Sequence, residues 1–419
     1  MRMAQKVRMV FLVGVLLVGI GVGNGTKHGV AATQAAVHCP ALPPPGGVVI
    51  AVNTEAGIRN AAYNASPGTT VLIAAGTYHL SSFIHIVNNG IALRGVTGNR
   101  ADVILDFGGM VGGQFGILVE ADDVTIADLT IRNAADHGVS IQGYDRPVLY
   151  NLHILDINDQ LVKVNPRIGG GGSDDGLLAC SRLEYTTSAP DNYTNGISAH
   201  HATDWVVRDN QWYRIRYGDS PTGPTILFWR DSAGTVVERN LLVDCYRGIT
   251  FGLDNDPGLE HVGGVVRNNI IYASARHDTV IEMASARGWL VAHNTVLLLN
   301  PVSGLTWGME ARFASSQGTF AYNLTNMNIW EDRDGASGAL IGNLTNAQTN
   351  WFVDPNNADL HLLPTVLSAI DQAGLLAGVT DDYDGDTRPY GLFADIGADE
   401  VNTGSPGERY DISLPFIRR

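Results

Sequence analysis

From about residue 124 onward the chain restates one theme: a short β-branched run, a polar turn, a second apolar run, and a longer loop of Gly, Asp, Ser and Pro. Aligned on Leu129, Leu152, Ser181, Asn210, Asn240, Asn269, Asn294 and Asn323, the turns are separated by 23, 29, 29, 30, 29, 25 and 29 residues. VVRDN (Val206 to Asn210), VVERN (Val236 to Asn240) and VVRNN (Val265 to Asn269) are the clearest copies. This period fits a solenoid with variable loops and fits neither heptads nor helical hairpins. Each copy holds strands of about 4 to 6 residues, too short to bury an apolar face alone, so coils must stack about 4.8 Å apart and pair in parallel. An Asn at the same turn of every coil can donate its amide to one neighbour and accept from the other. Asn210, Asn240, Asn269, Asn294 and Asn323 are therefore read as an interior asparagine ladder, not as catalytic or glycosylated residues.

The 419 residues would by length suggest two or three domains, and the repeat replaces that count with one solenoid. A chain with 45% apolar residues, 16% charged residues and 49 glycines suits many short strands joined by tight turns. The formal net charge of −15 argues against nucleic-acid binding, which needs a basic footprint, and an acidic ligand would need a local basic patch. Arg2, Lys6 and Arg8 precede an apolar run from Met9 to Val22 and small residues at Gly29, Ala31 and Ala32. That order reads as a signal peptide over residues 1–36, with export and no membrane span. Cys39, Cys180 and Cys245 form no paired spacing, so neither a disulfide framework nor a zinc site is indicated. Cys180 and Cys245 are expected to be buried small apolar residues.

Upstream of the repeats, Thr54 to Asn64 looks like a capping helix, PGTTVLIAAGTY (Pro67 to Tyr78) like a first strand and turn, and IALRGVTGNRADVILDF (Ile91 to Phe107) like a first full coil. Downstream, DYDGDTRP (Asp382 to Pro389) and DIGADE (Asp395 to Glu400) are similar to the closing segment of many exported bacterial β-helix proteins. With the repeats, these segments resemble the pectin lyase-like superfamily of right-handed parallel β-helices. The resemblance implies an all-β solenoid over 45–345 with an N-terminal capping helix, an irregular closing segment over 346–402 that covers the open end, and a linker and short tail over 403–419. It also implies a secreted or cell-surface bacterial protein, expected to be a monomer, that meets a polysaccharide. It does not fix the reaction, because this scaffold carries lyases, hydrolases, esterases and non-enzymatic proteins.

Alternation along the second strand of each repeat assigns Val162, Val164, Ile197, Ala199, Ile249, Phe251, Ile281, Met283, Met309, Ala311 and Phe313 to the interior. The outward set is then Lys163, Asn165, Ser198, His200, Thr250, Glu282, Glu310 and Arg312, joined by Trp229, a strip that resembles a carbohydrate cleft, with an ordinary solvated sheet face as the alternative. As candidate catalytic residues these give Lys163, His200, Glu282 and Glu310; as substrate-binding residues, Asn165, Trp229 and Arg312. Some lyases of this fold use a strand lysine to remove the proton α to a uronate carboxylate, which requires a neutral amine, and Lys163 with His200 one coil on suits that role. Glu282 and Glu310 on adjacent coils would suit a hydrolase that divides acid and base roles, with Arg312 pairing with Glu310. Three readings stay open: a polysaccharide lyase acting on an acidic glycan, a glycoside hydrolase, and a non-catalytic glycan-binding or structural protein. No metal ligands are assigned. Calcium is admitted as a cofactor by the acidic runs at Asp174-Asp175 and Asp381 to Asp386. Gly169 to Gly172 read as a loop excursion.

Overall fold

The computed structural model describes residues 39–109, 115–255, 258–301 and 306–402. The signal-peptide residues 1–36 and the tail 403–419 lie outside them. Among the described residues three parallel sheets run side by side, one of 14 strands and two of 10, and each coil contributes a strand to each in turn. Within one coil, Val206–Arg208 belongs to the first sheet, Gln211–Tyr213 to the second and Ile226–Trp229 to the third. The registers join equivalent residues of successive copies, such as Val207 to Val237 to Val266. The described residues form a parallel β-helix with ten strands in each of its second and third sheets.

The repeated turn forms the corner between the first and second sheets. The residue before each ladder position takes a left-handed backbone, with φ of 59° at Asp209, 51° at Arg239 and 53° at Asn268. That conformation turns the following Asn inward. Asn210 Nδ2 donates to Asn240 Oδ1 at 3.1 Å, Asn240 to Asn269 at 3.0 Å, Asn269 to Asn294 at 2.9 Å, and Asn294 to Asn323 at 2.9 Å. The ladder continues to Asn343, whose Oδ1 accepts from Asn323 at 2.8 Å. At the other end Ser181 Oγ accepts the Leu152 amide, and Leu152 and Leu129 fill the position with hydrocarbon.

The N-terminal end is closed by the helix Glu55–Asn64, whose N-cap Thr54 accepts from the Gly57 amide and whose Ile58, Ala61 and Ala62 are buried. The residues before it run along the outside of the first sheet. There the structure corrects the cysteine reading: Cys39 and Cys180 form a disulfide with a Cα separation of 5.6 Å. Tyr150 donates its hydroxyl to the Pro40 carbonyl at 2.6 Å, and Arg94 donates to the Pro43 carbonyl at 2.7 Å. A separation of 141 residues leaves no local spacing from which to read this bridge. Cys245 is a buried thiol as expected.

Residues 346–402 do not cover the open end. They pack instead on the outside of the second sheet, where Phe352, Leu360, Leu362, Val366 and Ile396 meet Ile270, Tyr272, Leu297 and Leu324. The reason lies in the outward rows of that sheet. Arg182, Gln211, Leu241 and Ile270 follow one another on one row, and Glu184, Tyr213, Val243 and Tyr272 on the other. The surface thus changes from charged to apolar along the solenoid and captures the closing segment on its apolar half. Arg239 pairs with Asp381 at 2.6 Å, fastening it, and Arg388 pairs with Glu400 at 3.0 Å within the segment. The terminal strands Ile329–Arg333 and Ser337–Ile341 are last in their sheets, and Trp330 and Leu340 are 42% and 48% exposed.

Candidate active site

Alternation in the third sheet runs as the sequence implies for ten of the eleven interior residues, from Val162 to Ala311, all fully buried. Phe313 is the exception. It sits at the corner after Trp307–Arg312 with φ of 71°, half-buried, its ring 4.5 Å beneath the Arg312 guanidinium. The outward row reads Ser140, Lys163, Ser198, Leu227, Thr250, Glu282, Glu310 and Trp330. Lys163, Ser198, Thr250, Glu282 and Glu310 on this row are all at most 5% exposed, which an ordinary solvated sheet face would not be. Long loops after the strands wall the row, so these residues form the floor of a groove. Lys163 and Glu282 lie four strands apart on it, about 19 Å at ~4.8 Å per strand. The candidates therefore fall into two stations.

At the first station a cleft of about 460 Å³ is lined by Lys163, Ser198, His200, Trp229 and Arg230, with walls from Tyr193 to Asn195 and Pro221 to Pro224. The walls are tied together where Asn195 Nδ2 donates to the Pro224 carbonyl at 2.6 Å. A Cβ on Gly223 would fall 2.5 Å from that Nδ2, so only glycine permits the approach. Lys163 Nζ lies 3.1 Å from Ser198 Oγ and 3.1 Å from His200 Nε2. Burial, then the charge of Arg230, pushes the Lys163 ammonium down to about 8, against a weaker pull from Asp136. Burial and the same two cations push His200 down to about 3, so its imidazole is neutral and its Nε2 accepts the lysine proton. His200 meets Trp229 edge to face at 4.9 Å, and the exposed Arg230 guanidinium lies 4.1 Å over the indole. Asn165 ends the same strand, half-buried, in register with Gln142.

At the second station Glu282 and Glu310 stand side by side, as expected for adjacent coils. Both are covered, and both are held by arginines that the sequence reading did not assign. Arg247 binds Glu282, and Arg333 binds Glu310 at 2.5 Å. Arg312 does not pair with Glu310; it lies 2.8 Å from Asp334 and 3.6 Å from Glu282. Burial and the neighbouring Glu282 carboxylate raise Glu310 well above the usual carboxylate range, and its Oε1 makes no hydrogen bond. A sugar could reach neither carboxyl without displacing an arginine.

Within the acidic runs, Asp174 and Asp382 are engaged by backbone amides. Asp174 Oδ1 accepts the Thr203 amide, and Asp382 accepts the amides of Asp384, Asp386 and Glu400, so these two carboxylates hold turns. Two other groups bring donors together: Asp136 with His137 and Asp159, and His361 with Asp384 and Asp399. The first lies beside Lys163. It mixes an imidazole nitrogen with two carboxyls, and calcium, which takes six to eight oxygens, does not fit it.

No protein-family model matches the chain, and no curated protein matches it. Among solved structures, pectate lyase Pel9A aligns over 82% of this chain and 90% of its own, with 13% identity and a TM-score of 0.55. The fold is the pectin lyase-like β-helix. An alginate lyase from Paenibacillus sp. is similar at 20% identity over 70% of this chain and 98% of its own, with a TM-score of 0.47. Within this pectin lyase-like solenoid the residues that sequence reasoning missed are Arg230, Arg247, Arg333 and the Asp136, His137 and Asp159 group. Arg230 directly follows Trp229 at the end of its strand, a position that alternation alone places outside the face.

Proposed function

We propose that this protein is an exported polysaccharide lyase that cleaves an acidic glycan by β-elimination, with Lys163 as the base. The observation that carries the reading is a buried amine with a lowered pKa on the floor of a cleft whose rim holds an exposed arginine. A base poised near its working pH is what proton abstraction from carbon requires. The uronate carboxylate would sit against Arg230, with which no acidic group forms an ion pair among the described residues, and a sugar face would stack on Trp229. Nζ of Lys163 takes the proton α to the carboxylate. Negative charge passes onto the carboxylate, where Arg230 stabilises it. The electron pair then forms the C=C bond as the β C–O bond breaks, and the leaving oxygen takes a proton from water. Neutral His200 and Ser198 hold the amine in place, and Asn165 is a hydrogen-bonding partner for sugar hydroxyls.

Export is supported by the Cys39–Cys180 bridge, since disulfides persist in oxidising compartments. No helix among the described residues is long and apolar enough to cross a membrane. A hydrolase built on Glu282 and Glu310 has less support, because both carboxyls are covered and ion-paired. The test is a panel of polyuronates, alginates and glycosaminoglycans followed by ultraviolet absorbance. Elimination leaves a conjugated double bond, hydrolysis gives reducing ends without absorbance, and binding without either product supports a non-catalytic glycan-binding protein.

A further inference from the structure

Three buried polar atoms without a hydrogen-bond partner belong to residues that line the same cleft: Oε1 of Gln160, Nε1 of Trp229 and Nε of Arg247. Buried donors and acceptors are ordinarily paired, so one acceptor and two donors left open around a cleft mark where the polar groups of a ligand belong. The longer side chains are held in place. Gln160, 1% exposed, donates Nε2 to the Tyr193 carbonyl at 3.3 Å. The Arg247 carbonyl accepts from the amide and the hydroxyl of Thr225 at 3.1 and 2.6 Å, and its guanidinium binds Glu282 through Nη2. Nε of Arg247 is 3.8 Å from Asp278 Oδ2, beyond hydrogen-bond reach, and the side chain remains 17% exposed.

Arg230 and Arg247 stand on opposite walls of this cleft, on neighbouring coils. Arg230 directly follows the strand Ile226–Trp229, Arg247 lies just before the strand Ile249–Phe251, and these strands pair with Ile226 opposite Ile249. The two cations are therefore at opposite strand ends, offset along the solenoid by one strand spacing of ~4.8 Å. The floor between them, Leu227 beside Thr250, carries no charge. In a ribbon-like 1,4-linked chain laid along the groove, consecutive pyranose rings face opposite ways, so their C5 substituents alternate between the walls, and the sugar repeat is close to that strand spacing. We infer that Arg247 binds the carboxylate of the sugar next to the one whose carboxylate meets Arg230, so that the cleft selects homopolymeric uronates, in which every residue is acidic. The inference rests on the lyase reading for the first carboxylate. Arg247 Nε supplies a charge-assisted hydrogen bond to the second, while Gln160 Oε1 and Trp229 Nε1 are open to sugar hydroxyls. A non-sulfated glycosaminoglycan, with a uronate only at every second residue, would set a neutral amino sugar against Arg247.

The experiment measures binding to Lys163→Ala, which lacks the base, by calorimetry with hexamers of mannuronate, guluronate and galacturonate and with a hyaluronan hexasaccharide. At least one homopolymeric hexamer is expected to bind more than about tenfold tighter than the hyaluronan hexasaccharide. Adding Arg247→Lys should weaken that hexamer by about tenfold, the loss of one hydrogen bond to a charged group, and leave hyaluronan nearly unaffected. The lysine keeps a cation beside Glu282, and melting curves show whether the fold is kept; should it melt early, Arg247→Met combined with Glu282→Met removes the ion pair as a unit and is read in the same way. The inference is overturned if no hexamer binds, if hyaluronan binds as tightly as every homopolymer, or if the Arg247 variants keep the affinity of Lys163→Ala alone. Unsaturated product from the parent together with an unchanged Arg247→Lys affinity would sink this inference and leave the lyase reading standing, whereas Arg247-dependent binding without any product would do the reverse.

Discussion

Replacing Asn269 by Ala removes five hydrogen bonds from the centre of the ladder. Asn269 Nδ2 donates to Val237 O, Arg267 O and Asn294 Oδ1, and its Oδ1 accepts from both the backbone amide and Nδ2 of Asn240. Not all are lost without relief. Asn240 Nδ2 still has Val207 O and Glu238 O, and Asn294 Oδ1 still has the Asn269 amide. The Asn240 backbone amide loses Asn269 Oδ1 as its acceptor, and both residues are fully buried. One stranded buried amide costs about 1–3 kcal/mol, and the vacated volume adds to it. Asn343→Ala removes the acceptor of the Asn323 amide as well, but Asn343 is half-buried at the end of the ladder, so water can take its place and the cost should be less than about 1 kcal/mol. Urea denaturation of both variants, with amide exchange at Asn240, measures the difference. Equal costs at the two positions, or an Asn240 amide that exchanges no faster in Asn269→Ala, would refute the ladder as the source of stability.

Cys39→Ser or addition of reductant should lower the denaturation midpoint by the equivalent of up to about 5 kcal/mol, since the bridge closes a 141-residue separation, and reductant should have no effect on the variant. If Lys163 is the base, activity should rise with pH through an apparent pKa of about 8, because only the neutral amine accepts a proton. Arg230→Gln should move that pKa upward, since the arginine charge helps hold it down, and an unmoved pH profile would count against the pairing. Glu282→Gln should destabilise by about 3 kcal/mol because it removes the carboxylate bound by the partly buried Arg247, whereas Glu310→Gln should cost less because burial already favours its neutral form; thermal melts distinguish the two.

The solenoid was legible because stacking forces equivalent residues into register, and the VVRDN, VVERN and VVRNN copies carry that register in their letters. The final coil was not read, because Asn343 follows Asn323 by only 20 residues and its strand Ile329–Arg333 lacks the β-branched run. Arg333, the partner of Glu310, was lost with it. Alternation correctly separated Lys163 and His200 from Val162 and Val164, but it cannot report how far loops climb over a sheet. That is why the sequence left open whether this row is a cleft or a solvated face, and could not give the depth of the groove. The site's charge partners come from loops and corners, as with Arg230, Arg247 and Asp136, and loops of unequal length hide such proximity from any linear pattern. The closing segment was located but misplaced, although the change from Arg182 and Glu184 to Ile270 and Tyr272 along the second sheet was present in the letters.

The central claim is that the Lys163 amine removes a proton from an acidic sugar. The direct measurement is ultraviolet absorbance of the conjugated product during incubation of the parent, Lys163→Ala and Lys163→Arg with each polyuronate, with melting curves to show that the variants fold. The account predicts product from the parent, rising above pH 8, and none from either variant. Equal product from parent and Lys163→Ala would contradict it.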